Sequence, residues 1–198
     1  MGLTWENKDG QTPLTEEERE GLLIPTIATR GELDEFEQQN IEQALQWLFG
    51  RRLKAENVYA ELFIQMIHRR MFGEVWEWAG SFRRTNKNLG VDKWAIAPSL
   101  RYLLDDAMYW FEHNTFSPDE AAIRFKHQIV SIHCFPNGNG RHSRLMADII
   151  IEKIYKLPVF TWGAAAGYPT HDIRNAYLSA IRQADQRNYA PLIAFARS

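Results

Sequence analysis

Apolar positions along this chain recur every three to four residues through most of its length, the spacing that lines one face of a helix. Between residues 32 and 50 the stripe is Leu33, Phe36, Ile41, Leu45 and Leu48, and Gly50 stops it. A second helix is predicted over 55–71, with Leu62, Ile64, Met66 and Ile67 as its apolar residues and Phe72-Gly73 as its end. Pro98 and Ser99 open a third, over 100–111, that turns Leu103, Leu104, Ala107 and either Trp110 or Phe111 inward. The clearest start signal is Ser117-Pro118-Asp119-Glu120: an N-cap serine, proline at the first helical position and glutamate at the third. The helix that follows buries Ala122, Phe125, Ile129 and Ile132 and ends at His133. Residues 141–155 are apolar around most of their circumference, through Leu145, Met146, Ile149, Ile150, Ile151 and Ile154, so this helix is central. A Gly/Ala-rich connection leads to a helix from Thr170 or His171 to about residue 183, and a short last one over 189–196 is capped by Asn188.

Two stretches break the helical period. Residues 1–31 are punctuated by Gly10, Pro13, Gly21, Pro25 and Gly31, with room for one short helix over 15–22 capped by Thr15. Residues 83–97 place Asn, Gly and Asp between two short runs, which reads as an irregular β-hairpin. The expected architecture is an irregular acidic arm over 1–31 and an all-α domain over 32–198 that carries one small hairpin.

Composition adds limits. With 45% hydrophobic and 24% charged residues this is an ordinary globular chain, long enough for a sizeable core. No apolar run approaches the ~18–20 residues of a membrane span. The first residues carry no basic then apolar leader, and the lone Cys134 has no partner for an internal disulfide, so the expected location is cytoplasmic. The net charge of −2 conceals an asymmetry: residues 1–50 hold eleven acids and three bases, and residues 51–198 hold fourteen acids and twenty bases. The acidic part either packs over the basic part or stands off as a solvated arm.

The chemistry is concentrated in HCFPNGNGRHSR, residues 133–144, between the well-started helix and the central one. Glycines let backbone approach a ligand, and a helix N-terminus presents unpaired N–H groups to an anion. If residues 138–140 turn into the next helix, their amides converge, and Arg141 and Arg144, three apart, share a face. A polyphosphate fits that arrangement. His133, across the turn, is a neutral imidazole near its reference pKa that can take a proton from a hydroxyl.

This loop resembles the Fic family signature H-x-F-x-[D/E]-G-N-G-R-x-x-R, matched by His133, Phe135, Gly138, Asn139, Gly140, Arg141 and Arg144. Asn137 departs from it, standing where the family has Asp or Glu. Trp78-Ala79-Gly80-Ser81-Phe82-Arg83 is similar to the lead into the family's hairpin flap, which docks a target polypeptide. Residues 185–195 resemble its C-terminal helix ending, and GLLIPT with TRGELDEFEQQNI resembles the small bacterial branch called mobile mystery protein B. The resemblance implies a Fic-type helical domain that moves AMP from ATP to a hydroxyl side chain of a target protein docked near 83–97. It implies His133 as general base, Gly138, Asn139 and Gly140 on the α-phosphate, and Arg141 and Arg144 on the β- and γ-phosphates. Magnesium would lie at Asn137, weakened because an amide replaces a carboxylate.

The resemblance further implies restraint. Many relatives carry an inhibitory helix, [S/T]-x-x-x-E-[G/N], whose glutamate meets the second arginine; no match occurs here, so another carboxylate of the acidic N-terminal part or a separate partner would restrain the site. A helix-turn-helix companion accompanies the mobile mystery branch. The alternatives are a Doc-like phosphotransferase, whose loop has lysine at the position of Gly140, and a catalytically silent nucleotide-binding module, which Asn137 favours. Other readings are plainer. His142 is expected on an exposed helix face, and His68, His113, His127 and His171 at the surface or in hydrogen-bonded core positions. Arg69-Arg70 and Arg83-Arg84 in a chain of pI 6.3 do not make a nucleic-acid surface.

Overall fold

A computed structural model describes residues 15–164 and 170–198. The helices are α1 (Glu16–Glu20), α2 (Arg30–Leu48), α3 (Ala55–Val58), α4 (Glu61–Phe72), α5 (Ile96–His113), α6 (Pro118–Ile132), α7 (Asn139–Ile149), α8 (Thr170–Asp185) and α9 (Ala190–Arg197). A π turn, Ile150–Ile154, continues α7. No β-strand occurs among the described residues, and the isolated antiparallel bridge between Leu22 and Trp76 ties the segment after α1 to the one after α4. The helical class expected from the periodicity is the one observed.

The core lies where the sequence is most apolar. Along α6, Ala122, Phe125, Ile129 and Ile132 are buried as the pattern requires, and Ser117 Oγ accepts the Glu120 N–H at 3.3 Å, with Pro118 at the start. α7 packs along α6 and is buried through Leu145, Met146, Ala147 and Ile149. Each large apolar side chain withdrawn from water there contributes about 1.5–3 kcal/mol. α5 closes one side of α6, α8 packs on α9, and α2 lies along α4.

Three expectations are corrected. The stripe assigned to α2 is buried only in part: Leu33 and Leu48 are inward, Phe36 and Leu45 are exposed, and the rest of the buried face is Glu37, Asn40 and Ala44. Two of these are polar and hydrogen-bonded. Asn40 donates to the Arg70 carbonyl and accepts from the Glu74 N–H, both at 2.9 Å, and Glu37 accepts the Trp76 indole N–H at 2.7 Å. The helix predicted over 55–71 is two, because the chain turns at Tyr59 and becomes extended at Ala60, which carries the Tyr59 ring against Phe125 at 5.8 Å.

Residues 83–97 do not form a hairpin either. The two runs bond to the segment ending α6 instead of to each other: Arg83 N–H donates to the Cys134 carbonyl at 2.9 Å and Val91 N–H to that of Ile132 at 3.3 Å. Between them Asn86 bonds the Asp92 carboxylate and the Lys93 N–H, and a 3-10 turn, Lys93–Ala95, leads into α5. Side-chain bonds within the loop replace the cross-strand ladder. The connection over 165–169 and the side chains of Thr170 and His171 lie outside the described residues.

Candidate active site

α6 ends on His133, whose φ and ψ of 59° each are left-handed, a conformation that costs a non-glycine residue on the order of 1–3 kcal/mol. Its neighbours hold it there. The His133 N–H donates to the Ile129 carbonyl at 3.3 Å, and its own carbonyl accepts Arg83 Nε–H at 2.6 Å. The imidazole is only 7% exposed, because the 83–91 loop lies on it: a Cβ at Gly90 would meet His133 Cβ at 2.5 Å. Burial, helped by the charges of Arg83 and Lys87 and opposed by a hydrogen bond with the Val130 carbonyl, pushes its pKa down to about 4. This is well below the reference value expected from sequence. The imidazole is therefore neutral at physiological pH, and while its N–H serves Val130 the other ring nitrogen is an acceptor.

The turn that follows is closed by side chains on backbone. Asn139 accepts the Phe135 N–H at 2.9 Å and donates to the Phe135 carbonyl at 2.8 Å. Phe135 is fully buried and stacks on His68 with ring centroids 3.8 Å apart. His68 Nε2–H donates to the Asn137 carbonyl at 3.0 Å while its Nδ1 accepts the Gly80 N–H at 3.0 Å, which fixes a neutral tautomer. Burial first, then the nearby His142 and Arg141, holds its pKa well below the ordinary imidazole value. His142 is itself buried, contrary to expectation, because Nε2–H donates to the Ile64 carbonyl at 3.1 Å; burial pushes its pKa down to about 4.

The two glycines differ. Gly138 caps α7 at a φ of 77°, and a Cβ there would strike the Phe72 ring at 2.6 Å. Gly140 faces open space, with nothing within 4 Å of where its Cβ would be. That open face, at the first turn of α7, is where an anion can reach backbone. Arg141 and Arg144 flank it on the same helix. Arg141 forms an ion pair with Glu37 at 2.7 Å and lies 4.8 Å from the Phe72 ring centroid. Arg144 lies 5.8 Å from the Tyr177 ring, and no carboxylate among the described residues is within ion-pairing distance of it. The fully buried Lys126 donates to the same tyrosine's hydroxyl, its pKa held well below the usual lysine range by burial and by Arg144.

His133, Gly138, Asn139, Gly140, Arg141 and Arg144 thus share one helix–turn–helix, with open space at Gly140. Asn137 stands at the turn, its Oδ1 accepting the Gly138 N–H at 2.6 Å. Residues 59–151 match the family model described as Fic/DOC family. The chain carries a Fic domain. A curated relative, the protein adenylyltransferase Fic of Drosophila grimshawi, is 28% identical over 137 residues, covering 65% of this chain and 26% of that protein. The chain therefore spans about a quarter of that relative's length. Fic-1 from C. elegans superposes with a TM-score of 0.68 at 21% identity, covering 90% of this chain and 51% of that one. BepC from Bartonella tribocorum, solved with bound AMPPNP, gives 0.66 at 16% identity and covers 92% of this chain and 97% of that one.

Sequence reasoning passed over Glu37 and Lys126, which lie on helix faces whose polarity concealed their burial, and gave no role to Arg83, whose signal was the quoted WAGSFR segment. His68 takes the hydrogen-bonded core position that was one of its two expected placements.

Proposed function

We propose that this Fic domain transfers AMP from ATP to a hydroxyl side chain of a target protein. The observation that carries the reading is the neutral His133 imidazole and the open Gly140 face on one turn, with Arg144 on the helix that follows. The His133 acceptor nitrogen takes the target hydroxyl proton as that oxygen bonds to the α-phosphorus. The bond from the α-phosphorus to its bridging oxygen breaks, and pyrophosphate leaves with the electron pair. Backbone amides at residues 139 and 140, with the Asn139 side chain bracing the turn, hold the α-phosphate; the Gly138 N–H joins them only if it leaves Asn137 Oδ1, and Arg144 and Arg141 hold the departing phosphates. ATP as the donor is supported by the fold shared with BepC, which was solved with bound AMPPNP.

Magnesium does not have a protein-built site here. Asn137 brings a single amide oxygen already bonded to the Gly138 N–H, and no group of three His, Cys, Asp or Glu side chains is arranged for a metal among the described residues. A magnesium ion would arrive with the nucleotide, and none of the protein's steps is routed through it.

Glu37 supplies the restraint. It belongs to the acidic N-terminal part, is 3% exposed, and holds Arg141, so a phosphate must displace a carboxylate before that arginine can bind it. The target polypeptide docks along the 83–97 loop, over the base. Intact-mass spectrometry after incubation with ATP and magnesium, with His133→Ala and Asn137→Asp alongside, tests the reading. An AMP-sized gain lost in His133→Ala supports it. A gain of one phosphate would establish a Doc-like transfer instead, and no gain in wild type, Asn137→Asp or Glu37→Gln would leave a nucleotide-binding module.

A further inference from the structure

Arg83 is a buried arginine, 3% exposed, and its donors go to neutral carbonyls. Nε–H donates to the His133 carbonyl at 2.6 Å, one terminal nitrogen to the Thr85 carbonyl at 2.8 Å, and the other to the Val91 carbonyl. A buried guanidinium is ordinarily matched by a carboxylate. Here Asp92 and Glu18 act on it only through space. Its three acceptors are the backbone carbonyl of the base residue and carbonyls at both ends of the loop that covers the base. The Arg83 N–H adds a fourth tie to Cys134, and Val91 bonds back to Ile132, so residues on both sides of His133 are held to the loop.

We propose that Arg83 is a positioning residue for the His133 base: through its bonds to the His133 carbonyl and to both ends of the 85–91 loop, it sets the distance between the imidazole and whatever target that loop receives. This rests on the transfer reading above. An arginine serving only to close a loop would have no reason to bond the carbonyl of the one residue in the left-handed conformation that ends α6. The fork also leaves a positive charge facing the imidazole. The other charge acting on that ring is Lys87 from the loop, paired with Glu18 of α1; Asp92, at the loop's far end, acts on Arg83.

The test uses the full chain in three forms, wild type, Arg83→Met and Arg83→Lys. Three quantities are read: nucleotide affinity by calorimetry, the AMP-transfer rate against pH, and the His133 titration by NMR, assigned by its loss in His133→Asn. Methionine removes charge and fork together; lysine keeps charge without the fork. Expected in Arg83→Met is a rate loss on the order of 10²-fold, the cost of about 1 Å of misplacement, with nucleotide affinity unchanged. Its His133 midpoint, and the acid limb of its rate profile, move up by about one pH unit as a neighbouring charge is removed. In Arg83→Lys the midpoint returns toward the wild-type value while the rate stays low. An unmoved midpoint in a folded Arg83→Met, or full rate in Arg83→Lys, overturns the proposal. Should Arg83→Met not fold, the lysine variant decides alone. If wild type, Asn137→Asp and Glu37→Gln all transfer no AMP, the transfer reading fails, and the NMR midpoints still decide whether Arg83 acts on the base.

Discussion

The two ends of the 133–144 loop are tied down by opposite means. At the base end a buried cation, Arg83, is spent on neutral carbonyls, and the loop above His133 is strapped to α1 by the Lys87–Glu18 ion pair. At the arginine end, Arg141 meets a carboxylate from α2, while Arg144 lies over the Tyr177 ring and Lys126 donates to that tyrosine's hydroxyl. The first end fixes a geometry, and the second keeps Arg144 without a carboxylate at ion-pairing distance among the described residues. A site that joins a hydroxyl to a polyphosphate needs both: a base held at one distance, and a field that becomes favourable when the anion arrives.

The largest break in that comparison is His133→Ala. Loss of the proposed general base is expected to reduce AMP transfer by about 10²–10⁴-fold with nucleotide affinity retained, read by the rate of self-modification and by calorimetry. Equal loss of affinity would place the base in the binding machinery instead. Next in size are the two arginine-end variants. Arg144→Ala removes charge-assisted bonds of about 1.5–3 kcal/mol each, so the dissociation constant for ATP should rise at least tenfold. Glu37→Gln works the other way. It keeps an acceptor for Trp76 and releases Arg141, and tighter nucleotide binding is expected; unchanged or weaker binding would show Glu37 to be part of the frame and not a restraint.

The pH dependence of stability separates the frame from the charges. His68 and His142 are neutral in the fold, with His142 titrating at about 4 against 6.5 when unfolded. Between those values the unfolded chain binds protons that the fold does not, so these two groups lose stability as pH falls, by up to about 1.4 kcal/mol per pH unit each. Asp148 opposes them. Burial raises its carboxyl to about 6, so its contribution grows as pH falls through that value. His133, also pushed down to about 4, acts in the same sense as His68 and His142, so three histidines against one aspartate leave a net loss, and the melting temperature should drop between pH 6.5 and 4.5. In His142→Gln, which keeps the donor to Ile64, the drop should be shallower.

What the sequence made legible follows from where polarity and burial agree. α6 and the motif were readable because Ser117-Pro118 starts the helix, its inward positions are apolar, and the glycines and arginines that follow have few other uses. α2 was misread for the opposite reason. Its buried face carries Glu37 and Asn40, whose partners Trp76, Arg141, Arg70 and Glu74 lie at least 30 residues away, so no local pattern announces them. The same holds for His142, hidden by a carbonyl 78 positions upstream in Ile64, and for Arg83, which binds across 50 residues to His133. The hairpin was expected from turn residues that instead bond within the loop and to the segment at 132–134. Long-range polar contacts made the site, and local periodicity does not contain them.

The smallest expected effect is also the sharpest division within the loop. Gly138→Ala places a methyl 2.6 Å from Phe72 at a φ of 77°, and strain plus clash should cost about 1–3 kcal/mol of stability. Gly140→Ala meets nothing within 4 Å and sits in the first turn of α7, where alanine is the better helix former, so stability should stay level or rise by up to about 1 kcal/mol. Yet the methyl would stand in the open face where an anion must approach backbone. Melting temperature and ATP affinity measured on both variants give four numbers. Affinity lost in Gly140→Ala with stability kept marks that face as the phosphate position; affinity kept there would move the phosphate away from the 138–140 turn and leave Arg144 to define the site.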